Sequence, residues 1–179
     1  MAIKPILFNT VNTEMVRAIL DGRKSCTRRV VKPQPTARYG VQCIKPPYQP
    51  GDILYVRETW KKAPNGYYYY EDWQRNDIAD VTKWKPSIRM PKEAARIWLK
   101  VTDVRVERLQ EISAESALAE GADKYIHTNG GLDENMTITS FIGIWNSTIK
   151  KSDIDRYGWD ANPWVWVIEF ERCEKPKGV

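Results

Sequence analysis

Histidine and cysteine are scarce among the 179 residues of the chain. The one histidine, His127, lies among polar and glycine residues, and the three cysteines, Cys26, Cys43 and Cys173, lie far apart with no C-x-x-C pair. A structural zinc site takes four cysteine or histidine ligands at set spacings, so we expect no metal. A nucleophile activated by histidine would depend on His127, which a loop would hold poorly. Acid and base chemistry is therefore expected from lysine, glutamate, aspartate or tyrosine.

Targeting, membrane and nucleotide-binding signatures are also lacking. No apolar run approaches the roughly 18 residues of a membrane span. The first five residues, MAIKP, have neither the apolar core nor the cleavage site of a secretory signal. The sequence contains neither G-x-x-x-x-G-K-S/T nor G-x-G-x-x-G. We therefore expect a cytoplasmic protein with reduced thiols, no membrane contact and no cofactor.

Composition is that of a folded, basic protein. Lysine and arginine number 28 against 23 aspartate and glutamate residues, a net charge of +5, and hydrophobic residues make up 42%. With 8 Trp and 9 Tyr, this apolar content is too high for a disordered chain. The length fits one domain, and we expect residues 1–179 to form it.

Apolar spacing and capping residues predict both helices and strands. A helix capped by Asn12 or Thr13 is expected to end at Gly22, because glycine adopts the left-handed conformation at low cost. A second helix, capped by Ser113, is expected to end before Gly121. The other predicted elements are a helix capped by Thr137 and strands over 41–44, 53–60, 67–70, 97–109 and 163–172.

The order of these elements indicates the fold class. Strands and helices do not alternate as they do in a doubly wound parallel sheet, so that architecture is not expected. We predict an α+β fold, a small mixed or antiparallel β-barrel with flanking helices.

One segment concentrates the positive charge. Between Arg17 and Arg38 seven cations stand against Asp21 alone, a local net charge of +6 that exceeds that of the whole chain. Such a segment attracts phosphate or another anion, although a solvated basic loop would have the same composition. The seven cations are Arg17, Arg23, Lys24, Arg28, Arg29, Lys32 and Arg38.

Three motifs follow one another along the chain. The first helix is followed by G-x-K-x-x-T-x-R over residues 22–29, a Pro-Gly-Asp turn at 50–52 opens a strand, and the last strand contains WVIEF at 166–170. In this order they resemble the ASCH family, a branch of the PUA-like β-barrel superfamily. Residues 61–94 and 122–162 are longer than a minimal member of that family needs.

The resemblance implies a specific activity and site. Some small ASCH proteins are amidohydrolases that remove the acyl group from N4-acetylcytidine with a Lys, a Thr and a Glu. Carried over by position, these are Lys24, Thr27 and Glu120, with Glu111 and Glu115 as competitors for the carboxylate. The implied partner is a modified cytosine nucleoside, with RNA as a further candidate.

The chemistry of these three residue types suits amide hydrolysis. A threonine hydroxyl becomes a good nucleophile only when a neighbour takes its proton, and a lysine amine can do so when burial or nearby positive charge lowers its pKa. A carboxylic acid can then protonate the departing amine. Lys24 and Thr27 are three residues apart and would point to opposite faces of a regular strand, so their convergence requires an irregular segment at residues 24–26.

Four further residues are candidates for substrate binding: Arg29, Arg57, Glu58 and Trp60. Arg57 and Glu58 are expected on opposite faces of one strand, so that at most one of them faces a given pocket. Trp60 could stack a base, as aromatic side chains do with unpaired nucleotides.

Two other functions use the same features. A module that only binds RNA or a modified base would use the basic segment and an aromatic pocket. An ASCH-type nuclease would cleave RNA without a metal, and no sequence feature favours it over deacylation.

Overall fold

The computed structural model describes residues 1–8, 14–36, 40, 44–73, 83–122 and 134–178. The chain divides into two compact units. Unit 1 comprises Met1–Gly22, Gly51–Lys100 and Glu171–Val179, and unit 2 comprises Arg23–Pro50 and Val101–Phe170. In chain order the elements are β1 (Ile3–Leu7), α1 (Glu14–Leu20), β2 (Cys26–Val30), β3 (Ile53–Arg57), β4 (Trp60–Ala63), β5 (Gly66–Tyr69), α2 (Tyr70–Trp73), β6 (Trp98–Arg108), α3 (Ala114–Ala119), α4 (Glu134–Thr148), α5 (Ile154–Tyr157) and β7 (Trp164–Cys173).

Unit 1 combines parallel and antiparallel strand pairs. β1 runs parallel to β3, with Ile3 opposite Ile53, and β3 runs antiparallel to the start of β6, with Ile53 opposite Lys100. β4 and β5 form a hairpin, and Gly66, which begins β5 directly after the turn, has a φ of 140°, which favours glycine. Buried side chains of this unit form an apolar cluster of Ile53, Tyr55, Trp60, Met90, Ala94, Ala95 and Trp98.

Unit 2 has the strand order β6-β7-β2. β2 runs antiparallel to β7, with Thr27 opposite Ile168. Residues 165–168 of β7 are all buried, because apolar side chains occupy both alternating faces there. Helices α3 and α4 pack together, and the apolar cluster of this unit consists of Leu109, Ile112, Ala117, Ala122, Phe141, Trp145, Val165 and Val167.

Glycine and serine end or begin the helices where the sequence predicts. α1 ends just before Gly22, which has a φ of 75°, and α3 is followed by Gly121 at a φ of 88°. Ser113 caps α3, since its Oγ accepts a hydrogen bond from the Ser116 N–H at 3.2 Å. These local predictions are confirmed, as are the long strands β6 and β7.

Two element boundaries correct the prediction. The strand expected over 53–60 ends at Arg57, where the Glu58 N–H donates to Met90 Sδ at 3.0 Å instead of continuing the ladder. Thr137 is not a helix cap: it lies within α4 and is buried. The acidic Glu134 occupies the first turn of that helix, where its charge suits the helix dipole.

The fold is therefore α+β with mixed strand directions. Asn12, Thr13, His127 and Cys43 lie outside the described residues, as does most of the predicted strand over 41–44. Single-domain organisation stays a prediction. Within the described parts of the chain, no helix is both long and apolar enough to cross a membrane, and no group of three His, Cys, Asp or Glu side chains is placed to hold a metal ion.

Candidate functional site

The candidate site in unit 2 lies at the outer edge of β2. The Phe170 N–H donates to the Ser25 carbonyl at 2.8 Å and the Val31 N–H to the Trp164 carbonyl at 3.0 Å. Bonded and non-bonded pairs alternate in an antiparallel ladder, so the Cys26 carbonyl must point away from β7. The end of α3 covers this edge, where the Ser25 N–H donates to the Ala119 carbonyl at 2.9 Å.

Lys24 is buried at this edge, with 4% of its surface exposed. Its ammonium donates to the Cys26 carbonyl at 2.8 Å, to the Glu120 carbonyl at 2.7 Å and to Glu120 Oε2 at 3.1 Å. The carbonyls at the end of a helix have no partner within it and carry partial negative charge, so a cation is stabilised there. Three acceptors use all three protons of the ammonium.

Arg28 holds the other oxygen of Glu120. Its Nη1 lies 3.2 Å from Glu120 Oε1, and its Nη2 lies 2.5 Å from Glu107 Oε1 and 2.9 Å from Ser116 Oγ. Lys24, Arg28 and Glu120 are all buried, and Glu107 is partly buried. Two cations and two carboxylates thus compensate one another, which is the condition for keeping such charges inside a protein.

Thr27 is buried on the other face of β2. Side chains alternate along a strand, so Thr27 and Arg29 share one face while Cys26 and Arg28 share the other. Lys24 precedes the strand and escapes this alternation. Its ammonium contacts the carbonyl of the peptide that joins Cys26 to Thr27, a main-chain position between the two faces. Convergence of the Thr27 hydroxyl with Lys24 stays a prediction.

Arg29 and Tyr48 influence each other's ionisation in the same unit. Burial lowers the pKa of Arg29, while Tyr48 and Glu120 act in the opposite direction. Burial raises the pKa of Tyr48, against the effect of Arg29. A partly buried guanidinium on the face of Thr27 can bind an anionic or carbonyl oxygen there.

Glu120 is distinguished from its two competitors by position. Glu111 Oε2 accepts the Arg108 N–H at 2.8 Å, and Glu115 Oε2 accepts the Ser113 hydroxyl at 3.4 Å. Both of those side chains are exposed at the start of the 109–120 region. Glu120 alone of the three contacts Lys24.

The basic segment is less available for phosphate than its composition suggests. Lys24 and Arg28 are buried against carboxylates, and Arg17 Nε lies 3.2 Å from Glu71 Oε1. Three of the seven cations are thus already neutralised. Arg38 lies outside the described residues.

The remaining predicted binding residues belong to unit 1. Glu58 is buried and accepts from Arg96 through both oxygens, at 2.7 and 2.9 Å. Because Glu58 lies beyond the end of β3, the expected alternation with Arg57 does not apply. Arg57 donates to the Ile88 carbonyl and to Tyr55 Oη, each at 3.1 Å, and Trp60 is buried. Their role in substrate binding stays a prediction.

Comparisons with known proteins give two structural relatives. An ASCH domain from Lactobacillus crispatus is similar over 96% of this chain and 79% of its own, with 12% identity and a TM-score of 0.45. A protein from Enterococcus faecalis described under the family model DUF984 is similar over 100% of this chain and 84% of its own, with 11% identity and a TM-score of 0.49. No protein-family model and no curated protein matches the sequence.

Three members of the buried charge cluster are not among the predicted site residues. The sequence places Arg28 only in the basic segment, and nothing in it singles out Glu107 or Ser116. The partners of Arg28 lie 79 and 88 positions further along the chain. A charged residue inside an otherwise buried strand stretch, such as Arg28 between Thr27 and Arg29, is the available signal, because an unpaired charge is rarely buried.

Cys26 adjoins the site but is a poor nucleophile. Burial raises the pKa of its thiol to about 12, and the charge of Glu120 adds to the shift. At pH 8 about one molecule in 10⁴ would carry the reactive thiolate. We expect iodoacetamide at pH 8 to leave Cys26 unmodified in the folded protein, as measured by peptide mass spectrometry, while the half-buried Cys173 is labelled.

The matched control is the same reaction in urea, where Cys26 should be labelled as readily as Cys173. Rapid labelling of Cys26 in the folded protein would contradict its burial.

Proposed function

We propose that this protein is an amidohydrolase that removes the acyl group from N4-acylated cytosine nucleosides, on a PUA-like β-barrel. Thr27 is the nucleophile, Lys24 its general base and Glu120 the general acid. The observation that supports this most is the buried contact of 3.1 Å between Lys24 Nζ and Glu120 Oε2, beside the peptide that precedes Thr27.

The Lys24–Glu120 contact can prepare both catalytic groups in one step. Transfer of one proton from Lys24 to Glu120 gives a neutral amine, which can act as a base, and a carboxylic acid, which can act as an acid. Both groups are buried, so this transfer removes two charges from a poorly solvated place. Arg28 acts against it, because its guanidinium stabilises the carboxylate form of Glu120.

In the first half of the reaction the acyl group moves to the protein. Thr27 Oγ attacks the acyl carbonyl carbon while its proton passes to the Lys24 amine. The bond from that carbon to N4 then breaks, and N4 takes the proton of Glu120. Cytidine leaves, and the acyl group remains as an ester on Thr27.

The second half restores the starting groups. Water attacks the ester carbon and gives its proton to the Glu120 carboxylate. The bond from carbon to Thr27 Oγ breaks, and Oγ takes back the proton held by Lys24. The carboxylic acid product leaves, and Lys24 and Glu120 return to the neutral amine and the protonated acid.

Arg29 is the substrate-binding residue with the best placed side chain. It shares the face of Thr27 on β2. Its guanidinium can therefore donate to the carbonyl oxygen that gains negative charge during attack. Arg57, Glu58 and Trp60 remain in the proposal as further binding residues.

The test is release of cytidine from N4-acetylcytidine, followed by liquid chromatography. We expect release by the unaltered protein without added metal and a large loss in Lys24→Ala and in Thr27→Ala. Full activity in both variants would end this assignment. No release, together with salt-dependent binding of structured RNA, would instead indicate a PUA-like RNA-binding module without catalysis.

A further inference from the structure

A cleft in unit 1 lies apart in sequence from the catalytic residues of the proposed hydrolase, although Trp60, one of its proposed binding residues, lines the cleft. It has a volume of about 470 Å³ and is lined by Trp60, Trp84, Lys85, Pro86, Arg89 and Pro91. Clefts of about 300–1,000 Å³ hold most small ligands. Among the described residues that line the cleft, two are cations and none is a carboxylate, which suits an anionic group.

The indole N–H of Trp60 needs an acceptor. Trp60 is 5% exposed, and among the described residues its Nε1 has no hydrogen-bond partner. A buried donor left unpaired costs free energy, which a ligand oxygen would recover. The Lys85 ammonium lies 4.9 Å from the centre of the Trp60 ring, on an exposed and flexible side chain. That ammonium can turn from the ring towards an anion that enters the cleft.

The main chain next to the second cation, Arg89, is held by a hydrogen bond from a neighbouring side chain. Arg89 is exposed and ends the short 3₁₀ helix Ser87–Arg89. Arg57 donates to the carbonyl of Ile88 in the middle of that turn, at 3.1 Å. The position of Arg89 at the cleft is therefore fixed by the main chain, while its guanidinium remains exposed for binding phosphate oxygens.

The other walls suit a flat ring. Trp84 is partly exposed, and its indole is oriented by an edge contact with Tyr70, at 5.4 Å and 83°. Pro86 and Pro91 add apolar surface without donors. An aromatic face beside two cations matches a ligand that joins a planar base to a phosphate.

We propose that this cleft binds a phosphorylated nucleoside, with its base against Trp84 and its phosphate between Lys85 and Arg89. A ligand oxygen accepts from Trp60 Nε1 once the Lys85 ammonium has turned from the ring to the phosphate. The proposal does not rest on the hydrolase activity, because no residue of the cleft belongs to the Lys24, Thr27 and Glu120 set.

The test is calorimetric titration of the full chain with cytidine 5′-monophosphate at low salt. We expect binding that weakens by about tenfold or more in Lys85→Ala and in Trp84→Ala, since two charged or stacked contacts of this kind are each worth a factor of that order. Lys62→Ala is the matched control: Lys62 also lies over an aromatic ring of the hairpin, 5.9 Å from the centre of Tyr67, but does not line the cleft.

Three further titrations show which part of the ligand is bound and which natural molecule carries it. Cytidine and inorganic phosphate should each bind more weakly than the monophosphate, and a short single-stranded RNA that competes for the site would identify RNA as the natural source of the same chemistry. Equal binding of cytidine, or unchanged affinity in Lys85→Ala, would overturn the proposal. Loss of nucleotide binding in a Lys24→Ala protein that keeps its folded circular-dichroism spectrum would also overturn it, because the ligand would then occupy the hydrolase site.

Discussion

We expect Thr27→Val to abolish release of cytidine from N4-acetylcytidine and Thr27→Ser to retain it. Valine has nearly the same shape as threonine and fills the same buried space on β2 but has no hydroxyl. Removal of the nucleophile in comparable hydrolases lowers kcat by about 10⁴-fold or more, because no other group forms the covalent intermediate. Initial rates of cytidine release, measured for the three proteins side by side, test this expectation.

A second measurement separates the loss of chemistry from the loss of structure. If Thr27 carries the acyl group, rapid acid quenching during turnover should yield a peptide containing Thr27 with one added acetyl group. Thr27→Val should yield none and should keep the unfolding midpoint of the unaltered protein within a few degrees. Activity of Thr27→Val near that of the unaltered protein would leave Lys24 and Glu120 to activate water directly, without a covalent intermediate.

Much of this site could be predicted because its residues follow local signals. Gly22 ends α1, Lys24 and Thr27 follow at short spacing, and Ser113 and Gly121 bracket α3, so that Glu120 falls at its last turn. Each of these signals acts over a few residues, through backbone conformations that glycine and serine favour. The ASCH resemblance implies that Lys24, Thr27 and Glu120 act together in amide hydrolysis.

The remaining contacts of the site join residues that are far apart in the sequence, so they depend on how the strands and loops pack together. Arg28 contacts Glu107 because β2 and the part of β6 from Val101 onward both neighbour β7 in unit 2, and the spacing along the chain does not predict that arrangement. The predicted end of β3 at residue 60 is wrong for the same reason, since Glu58 binds Arg96, 38 positions away. Strand propensity alone predicts that the strand continues to Trp60. The tertiary contacts of Glu58 end it at Arg57 instead.

The basic segment illustrates the difference between composition and surface. Counted from the sequence, seven cations suggest a phosphate-binding face. In the structure, Lys24 and Arg28 point into the protein and Arg17 is paired with Glu71. Lys24 and Arg28 therefore belong to a buried and compensated cluster, and their charges are not exposed to solvent.

Glu120→Ala should destabilise the protein more than any other single change at the site. It removes the carboxylate that accepts from the Lys24 ammonium at 3.1 Å, and it removes one of the two carboxylates that contact Arg28. Breaking a buried ion pair by removing one partner costs about 3–5 kcal/mol, because the remaining charge is buried without compensation. Equilibrium unfolding in urea measures this as a lower midpoint with an unchanged slope.

Glu115→Ala is the matched control, since Glu115 lies on the same helix and is exposed. Its loss should cost less than about 1 kcal/mol, the usual contribution of an acidic residue in a first helical turn. In Glu120→Leu combined with Lys24→Met both charges are removed together, so much of the lost stability should return although activity does not. If Glu120→Ala and Glu115→Ala cost the same, the Lys24–Glu120 contact is solvated, and a proton could not pass between the two groups as the proposed reaction requires.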